Sequence, residues 1–391
     1  MSFITLNKPA AATQLAGQQT SGRYLSLDVL RGLTIALMVV VNNPGSWGSI
    51  YAPFRHAAWH GFTLTDLVFP SFLFVVGNAM SFSMRKFELQ PDSVFLAKVI
   101  KRTALIFGIG LFLHLFPFIS RTTEGQLVLK EFTGVRIMGV LQRIALCYFI
   151  AAMVLHYLKP KGALIFSLFA LFGYWAILYI FGDSAAPYSL EGNAALKFDS
   201  LFIPDQNLYK GFGIPFDPEG LLSTLPAVVN VIAGYFAGKF IRKNGNNLQS
   251  VLILTVAGAL LIGAALAWDT QFPINKPLWT SSYVLHSVGL CSILLASLML
   301  VIEIAGYTKW AYFFEAFGKN PLFIFAFATL VIKLLNFIQV EGKSLQMGIY
   351  TNLFLSWTEG KTASLLFALS YMLLMWLVGY WMDKKKIYVK V

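Results

Sequence analysis

The sequence predicts an all-α, polytopic membrane protein with about ten transmembrane helices and both termini in the cytosol. Of the 391 residues, 57% are hydrophobic and 12% are charged, whereas soluble domains are about 45–50% apolar and about 25% charged. Apolar runs long enough to cross a bilayer recur along the chain, and Lys and Arg are concentrated in alternate connections between them. This composition excludes an ordinary soluble enzyme. It also excludes a disordered chain, which needs low hydrophobicity and high net charge.

The individual spans follow from the requirement for roughly 20 apolar residues per crossing. We predict spans near 27–43, 63–84, 95–117, 135–157, 162–181, 222–241, 250–268, 283–305, 313–335 and 362–382. The stretch 346–357 is too short to cross and is predicted to be interfacial or re-entrant. Residues 1–22 are polar and lack the apolar core of a signal peptide, so we expect a flexible cytosolic leader followed by a single transmembrane domain over 23–391.

Cations and acids divide between the two sides of this topology. With the N-terminus in the cytosol, one set of connections holds most of the Lys and Arg, including Lys101, Arg102 and the tail lysines at 384–386, while the opposite connections are richer in Asp and Glu. Because Lys and Arg in short loops set orientation, the net charge of +12 is interpreted as a topology signal, and no nucleic-acid partner is expected. The largest outer segment, 183–221, is expected to form a folded cap.

The densest group of polar residues near the predicted membrane lies at the start of the chain. Asp28 and Arg31 lie near one end of the first span and Asn42 at the other end. Asp66 opens the second span, with Thr63 or Thr65 as its N-cap, so its carboxylate has a purely structural explanation as a partner of the helix dipole. Ionisable groups within spans are costly, however, and mark candidate sites.

His56 has the chemistry of a base near neutral pH, and Asp66 is placed to orient its ring. Asn42 is a candidate donor to a developing oxyanion. The structural alternative is that His56 and His60 are an interfacial pair beside Trp59. The two histidines have i, i+4 spacing, but no third ligand of suitable type is evident, so no metal is expected. Two cysteines inside apolar runs supply neither a disulfide framework nor a zinc site.

Three further clusters have both structural and functional interpretations. Gln142 and Arg143 lie in the fourth span, where a guanidinium suits a buried carboxylate or a phosphate. Glu219 belongs to a turn that caps the sixth span. A Trp beside an amide and an ammonium group, at 275–279, is typical of a sugar platform, although Trp is also a common membrane anchor.

The run 318–321 is expected to break the ninth span, and the glycines at 234 and 238 permit close helix contact, most simply within the monomer.

Several segments together resemble the heparan-α-glucosaminide N-acetyltransferase family, in the same order and over roughly residues 23–385. They are Ser26-Leu27-Asp28-Val29-Leu30-Arg31-Gly32, Val41-Asn42, His56-Ala57-Ala58-Trp59-His60-Gly61, Asp66-Leu67-Val68-Phe69-Pro70, and the blocks at 139–143, 217–220 and 275–280. Nothing in the sequence matches the long luminal N-terminal domain of the lysosomal enzyme. The resemblance therefore implies a bacterial-type acyltransferase in the inner, cytoplasmic membrane.

The resemblance implies transfer of an acetyl group from cytosolic acetyl-CoA to the amine of a glucosamine-type sugar on the far side of the bilayer, by a homodimer. The catalytic histidine of the family falls on His56 and its asparagine on Asn42, with Asp66 as the ring-orienting acid. His60 departs from the lysosomal pattern, where an Asn is expected. The predicted acetyl-CoA contacts are Asp28, Arg31, Gln142 and Arg143, and the predicted sugar contacts are Trp59, His60, Glu219, Asn275, Lys276 and Trp279.

Two other classes of function fit parts of the sequence. An amino-sugar transporter without acyl-transfer chemistry would also use broken helices and polar groups near the midplane. A structural or assembly protein is a third class, but the concentration of polar residues around His56 and Asp66 argues against it. Formation of N-acetylglucosamine in detergent would distinguish the enzyme from the transporter.

Overall fold

A computed structural model describes residues 24–122 and 126–389 of the chain. The predicted leader, 1–22, lies outside the described residues. The described helices are α1 (Leu25–Asn42), α2 (Leu64–Ser83), α3 (Asp92–Leu115), α4 (Val140–Tyr157), α5 (Lys159–Phe181), α6 (Ala194–Phe202), α7 (Thr224–Asn244), α8 (Leu248–Asp269), α9 (Ser281–Met299), α10 (Ala311–Lys319), α11 (Pro321–Phe337), α12 (Leu345–Tyr350) and α13 (Gly360–Lys384). Two antiparallel pairs, β1 (Ile119–Arg121) with β2 (Leu127–Leu129) and β3 (Gln339–Val340) with β4 (Lys343–Ser344), are the strands among these residues.

The prediction of an α-helical membrane protein is confirmed. Within the described residues, eight helices are long and apolar enough to cross a membrane: α1, α2, α4, α5, α7, α8, α9 and α13. A ninth span results if α10 and α11, which meet at 82°, count as one. The predicted span 95–117 corresponds to α3, which is not among these helices because Lys98, Lys101 and Arg102 occupy its first half.

The break in the ninth span lies where the sequence places it. Asn320 ends α10 with φ −132° and ψ 51°, and Pro321, which has no amide hydrogen to donate, begins α11. The buried Asn320 side chain then holds the tail of the chain, because its Nδ2 donates to Ile387 O (3.0 Å) and its Oδ1 accepts from Val389 N (2.8 Å). The bend therefore brings the C-terminal residues to the junction of α10 and α11.

Helices α2 and α7 touch through their glycines. A Cβ atom on Gly234 would lie 1.9 Å from Phe74 O, and one on Gly77 would lie 1.8 Å from Val231 O. Gly238 likewise faces α2 of the same chain. The glycine pair at 234 and 238 therefore serves packing within the monomer, and this contact fixes the position of α2, which carries Asp66.

The connector between α5 and α7, residues 182–223, contains α6 and lies against the end of the bundle where α2 begins. Trp59 Nε1, between α1 and α2, donates to Tyr188 O (2.8 Å). Asn207 Nδ2 donates to Thr133 O and Val135 O, both at 2.8 Å. The two Asn207 bonds hold residues 133–135 outside a helix, and α4 starts at Val140 and not at 135 as predicted.

Candidate functional site

The N-terminus of α2 is built around the carboxylate of Asp66. Thr63, one of the two predicted candidates, is the N-cap, and its backbone N and Oγ1 donate to Asp66 Oδ2 at 3.1 and 3.0 Å. Ala57 N donates to the same oxygen at 3.2 Å. The carboxylate is only 1% exposed, and these donors occupy one of its two oxygens. The other oxygen, Oδ1, remains for a partner outside the helix.

That partner is His56. Its Nδ1 lies 2.6 Å from Asp66 Oδ1, and its side chain is 50% exposed. A carboxylate accepts hydrogen bonds only, so the short contact requires a proton on Nδ1. A neutral imidazole with its proton on Nδ1 has a lone pair on Nε2, which is the arrangement of a general base.

A cavity of about 440 Å³ opens at this pair, and we refer to it as the histidine cavity. Its polar lining consists of His56, Asp66, Arg136, Glu219 and Lys276. Trp279, Tyr209 and Phe212 contribute aromatic walls. Five predicted catalytic and sugar-binding residues thus meet in one cavity, although they come from three separate segments of the chain: His56, Asp66, Glu219, Lys276 and Trp279.

Arg136 was not among the predicted site residues. Its Nε and Nη2 donate to the two oxygens of Asp217 at 2.8 and 2.6 Å, and Nη2 also bonds to Glu219. Burial alone would lower the pKa of Arg136, but the bonds to Asp217 and the charge of Glu219 outweigh it and raise that pKa above its usual range. The available sequence signal was an ionisable residue within the predicted span 135–157.

The loop between α8 and α9 carries Lys276 to the cavity. The side chain of Asn275 is completely buried and does not line the cavity; its Nδ2 donates to Trp59 O (2.9 Å) and its Oδ1 accepts from Leu278 N (2.7 Å). Asn275 Nδ2 also lies 3.3 Å from His60 Nδ1. Asn275 therefore ties the lysine loop to the segment that carries His56.

Trp59 and His60 line a neighbouring cavity of about 610 Å³ together with Tyr188. Ala58 and Phe212 belong to the walls of both cavities. Residues 24–122 and 126–389 contain no group of three or more His, Cys, Asp or Glu side chains that could hold a metal ion.

Arg143 lines neither cavity. Its guanidinium is fully buried, lies 5.0 Å from the centroid of the Trp279 ring, and donates to Gly220 O (3.0 Å) and to Ser223. Trp279 Nε1 in turn donates to Asn230 Oδ1 (3.0 Å). In this structure Arg143 supports the wall of the histidine cavity through Trp279.

A third cavity, of about 310 Å³, lies further along α2, and we refer to it as the arginine cavity. Its cations are Arg31, Arg102 and Lys319. Arg31 Nη1 lies 3.2 Å from Asp28 Oδ1, so the predicted Asp28 contacts a residue of the cavity wall but does not itself line the cavity. Lys319 pairs with Glu315 and Asp383 at 3.1 and 2.9 Å.

Arg102 differs from the other two cations of this cavity. Its guanidinium lies 4.6 Å from the centroid of the Tyr148 ring, and its buried Nε has no hydrogen-bond partner among the described residues. Arg102 lies inside the predicted span 95–117, where its charge on the sequence alone indicates only the topology.

Gln142 and Asn42, like Asp28, Arg143 and Asn275, line neither the histidine cavity nor the arginine cavity. Gln142 is buried against α3, with its Nε2 at 3.5 Å from His114 Nδ1. Asn42 is exposed at the end of α1. The neighbouring Asn43 is the buried amide, and its Nδ2 donates to Val39 O (2.8 Å).

The first turn of α4 separates the two cavities. Val140 contributes to the wall of the histidine cavity, and Leu141 contributes to the wall of the arginine cavity. On α2, Asp66 faces the first cavity and Phe72 the second. The histidine cavity and the cationic, otherwise apolar arginine cavity thus lie on either side of the first turn of α4.

Comparison with known proteins agrees with this arrangement. A family model described as "Heparan-alpha-glucosaminide N-acetyltransferase, catalytic" matches residues 23–262. The heparan-alpha-glucosaminide N-acetyltransferase of Homo sapiens is 28% identical over 356 residues, covering 78% of this chain and 52% of that protein. The protein of the same name from Mus musculus is 27% identical over 361 residues, covering 79% of this chain and 53% of that protein. The chain spans about half the length of these curated relatives. Because the family model covers more than half of the chain, the protein belongs to the heparan-alpha-glucosaminide N-acetyltransferase catalytic family.

Proposed function

We propose that this protein is an acyltransferase that moves an acetyl group from acetyl-CoA to the amine of a glucosamine-type sugar on the opposite side of the membrane. The names of the relatives support an N-acetyltransferase acting on a glucosaminide. The observation that carries the proposal is the contact between His56 Nδ1 and Asp66 Oδ1 at the edge of the histidine cavity. An oriented imidazole with a free Nε2 is what removal of a proton from an attacking amine requires.

The sugar is assigned to the histidine cavity. His56 Nε2 accepts the proton that the amine loses as its nitrogen bonds to the acetyl carbon. Glu219 and Lys276 offer an acceptor and donors for sugar hydroxyls. Trp279 lines the cavity but is only 1% exposed, so Tyr209 and Phe212 offer the apolar face. Asn42 does not reach this cavity, so its role as oxyanion donor stays a prediction. Direct transfer and an acetyl-histidine intermediate are both compatible with this geometry.

Acetyl-CoA is assigned to the arginine cavity, with its nucleotide on the side of the α1 N-terminus. When bound, it would supply the acetyl group as a thioester. Arg31 and Arg102 are placed to pair with phosphate oxygens, and the unpartnered Nε of Arg102 is the buried donor that such an anion would satisfy. The apolar walls from Phe72 and Leu141 suit the less polar arm of the molecule.

The remaining assignments are part of the same proposal. We place the α1 N-terminus and the C-terminus in the cytosol on the basis of the Lys and Arg distribution. We propose one transmembrane domain over 23–391 with an outer cap at 183–221, working as a homodimer in the lipid bilayer of a bacterial inner membrane.

The direct test incubates the detergent-purified protein with radiolabelled acetyl-CoA and glucosamine. We expect labelled N-acetylglucosamine to form without any membrane gradient, because acetyl transfer needs only the two substrates and the site. A His56→Ala sample supplies the background. Uptake of glucosamine into proteoliposomes without acetylation would instead identify a transporter and would contradict the proposal.

Replacing Arg102 tests the acetyl-CoA assignment. Because a hydrogen bond to a charged group contributes about 1.5–3 kcal/mol, we expect Arg102→Gln to raise the KM for acetyl-CoA by roughly tenfold or more. The KM for glucosamine should stay unchanged. Lys101→Gln, which removes an exposed cation from the preceding position, is the matched control. Equal effects of the two substitutions would remove Arg102 from the site.

A further inference from the structure

Lys276 approaches the outer side of the His56–Asp66 pair. Its Nζ lies 3.2 Å from His56 Nδ1 and 3.5 Å from Asp66 Oδ1, and its side chain is 17% exposed. The loop holds it there, because Gly61 N donates to Ile274 O (2.8 Å) and Asn275 Nδ2 donates to Trp59 O (2.9 Å). The ammonium group is therefore a fixed part of the site.

The contact between Lys276 and His56 is not an ordinary hydrogen bond. Nδ1 is protonated when it donates to Asp66, so it has no lone pair left to accept a hydrogen bond from Nζ. The ammonium group is attracted by Asp66 and is held close to the imidazole edge. When Nε2 takes up a proton, the ring becomes a cation beside a second cation.

We propose that Lys276 is a positioning residue that keeps His56 in its neutral, basic form by opposing the imidazolium through like-charge repulsion. In the acetyl-transfer step, the sugar nitrogen gives one proton to His56 Nε2 as the C–N bond forms. The C–S bond breaks, its electron pair leaves with the thiolate, and the proton passes from the imidazolium to that sulfur. Lys276 favours the proton transfer from the imidazolium to the sulfur, because its ammonium group and the imidazolium are both positively charged and repel each other.

Other charges around the pair do not replace Lys276 in this role. Asp66 faces the ring from α2 and favours its cationic form. Glu219 and Arg136 line the same cavity as Lys276, and the positive charge of Arg136 is offset by its bonds to the carboxylates of Asp217 and Glu219. Burial lowers the pKa of the Lys276 ammonium below its usual range, while Asp66 and Glu219 oppose that effect.

The inference rests on the proposed function, because the basic form matters only if His56 receives a proton from the sugar amine. Its test is independent of acetyl transfer. Diethylpyrocarbonate modifies unprotonated imidazole, so the pH dependence of His56 modification in the full-length, detergent-purified protein measures the uptake of a proton. Peptide mass spectrometry separates His56 from the other histidines.

We expect Lys276→Gln to raise the midpoint of His56 modification, because it removes a positive charge that lies 3.2 Å from the imidazole. Lys276→Met, a second neutral variant, should behave likewise, and Lys276→Arg should restore the wild-type midpoint. Lys210→Gln removes an exposed cation of the connector and should change nothing. Equal midpoints in the wild type and both neutral variants would overturn the inference, even in an active enzyme.

A kinetic measurement separates this role from sugar binding. The acid limb of the kcat/KM profile of Lys276→Gln should move to higher pH, in addition to any rise in the KM for glucosamine that follows from loss of the Lys276 contact with the sugar. A rise in that KM of about tenfold with an unmoved acid limb would show that Lys276 only binds the sugar. Absence of any acetyl transfer in the wild type would refute the proposed function and leave the modification result standing.

Discussion

His56→Ala is expected to lower the rate of acetyl transfer by a factor of about 10²–10⁴, the contribution of a positioned general base. The side chain is half exposed, and its polar contacts are with Asp66 and Lys276. Its removal therefore leaves no apolar core residue unpacked. We expect the variant to elute from detergent size exclusion as the wild type does and to unfold at a similar temperature.

The rate is measured with radiolabelled acetyl-CoA and glucosamine at saturating concentrations of both. Arg55→Ala, at the exposed neighbouring position, is the matched control and should retain the wild-type rate. Near-normal acetylation by a folded His56→Ala protein would remove His56 from the mechanism.

Asp66→Asn is expected to produce a folded protein with a rate loss similar to that of His56→Ala. The amide oxygen of Asn can accept from Thr63 and Ala57, which keeps the N-terminus of α2 capped. The amide nitrogen then faces His56 Nδ1 and donates to it. This places the imidazole proton on Nε2, where a base needs its lone pair.

Asp66→Ala separates the two functions of this carboxylate, which are to cap α2 and to orient His56. It loses the acceptor for the buried donors as well as the partner of His56, so it should be less stable than Asp66→Asn by about 1 kcal/mol or more. Thermal unfolding in detergent and acetyl transfer, measured on the same samples, test both parts. An active Asp66→Asn enzyme would show that ring orientation is not required.

The cluster at the start of α2 was accessible from the sequence because its contacts are local. Thr63, Asp66 and His56 lie within ten positions of one another, and the rules for helix capping predict both the N-cap and the buried carboxylate. The break at Asn320 was accessible for the same reason, since Pro321 acts on its own helix.

Residues that act between helices were less accessible. Arg143 was predicted to contact acetyl-CoA, but the structure places its guanidinium against Trp279. The spacing of apolar residues in the fourth span does not show whether the side chain points to acetyl-CoA or to Trp279. Arg136 and Arg102 were visible as charges in predicted spans. Their neighbours, Asp217 and Tyr148, belong to other segments.

Hydropathy, charge asymmetry and helix-end chemistry are properties of one turn or one span, so the sequence alone determined the membrane class, the approximate spans and the capped end of α2. The meeting of His56 with Lys276, 220 positions away, and of Arg136 with Asp217, 81 positions away, was decided only by the tertiary structure. The reason is physical. Which side chains meet depends on how closely the helices pack, as at Gly77 and Gly234, and on the paths of the connecting loops.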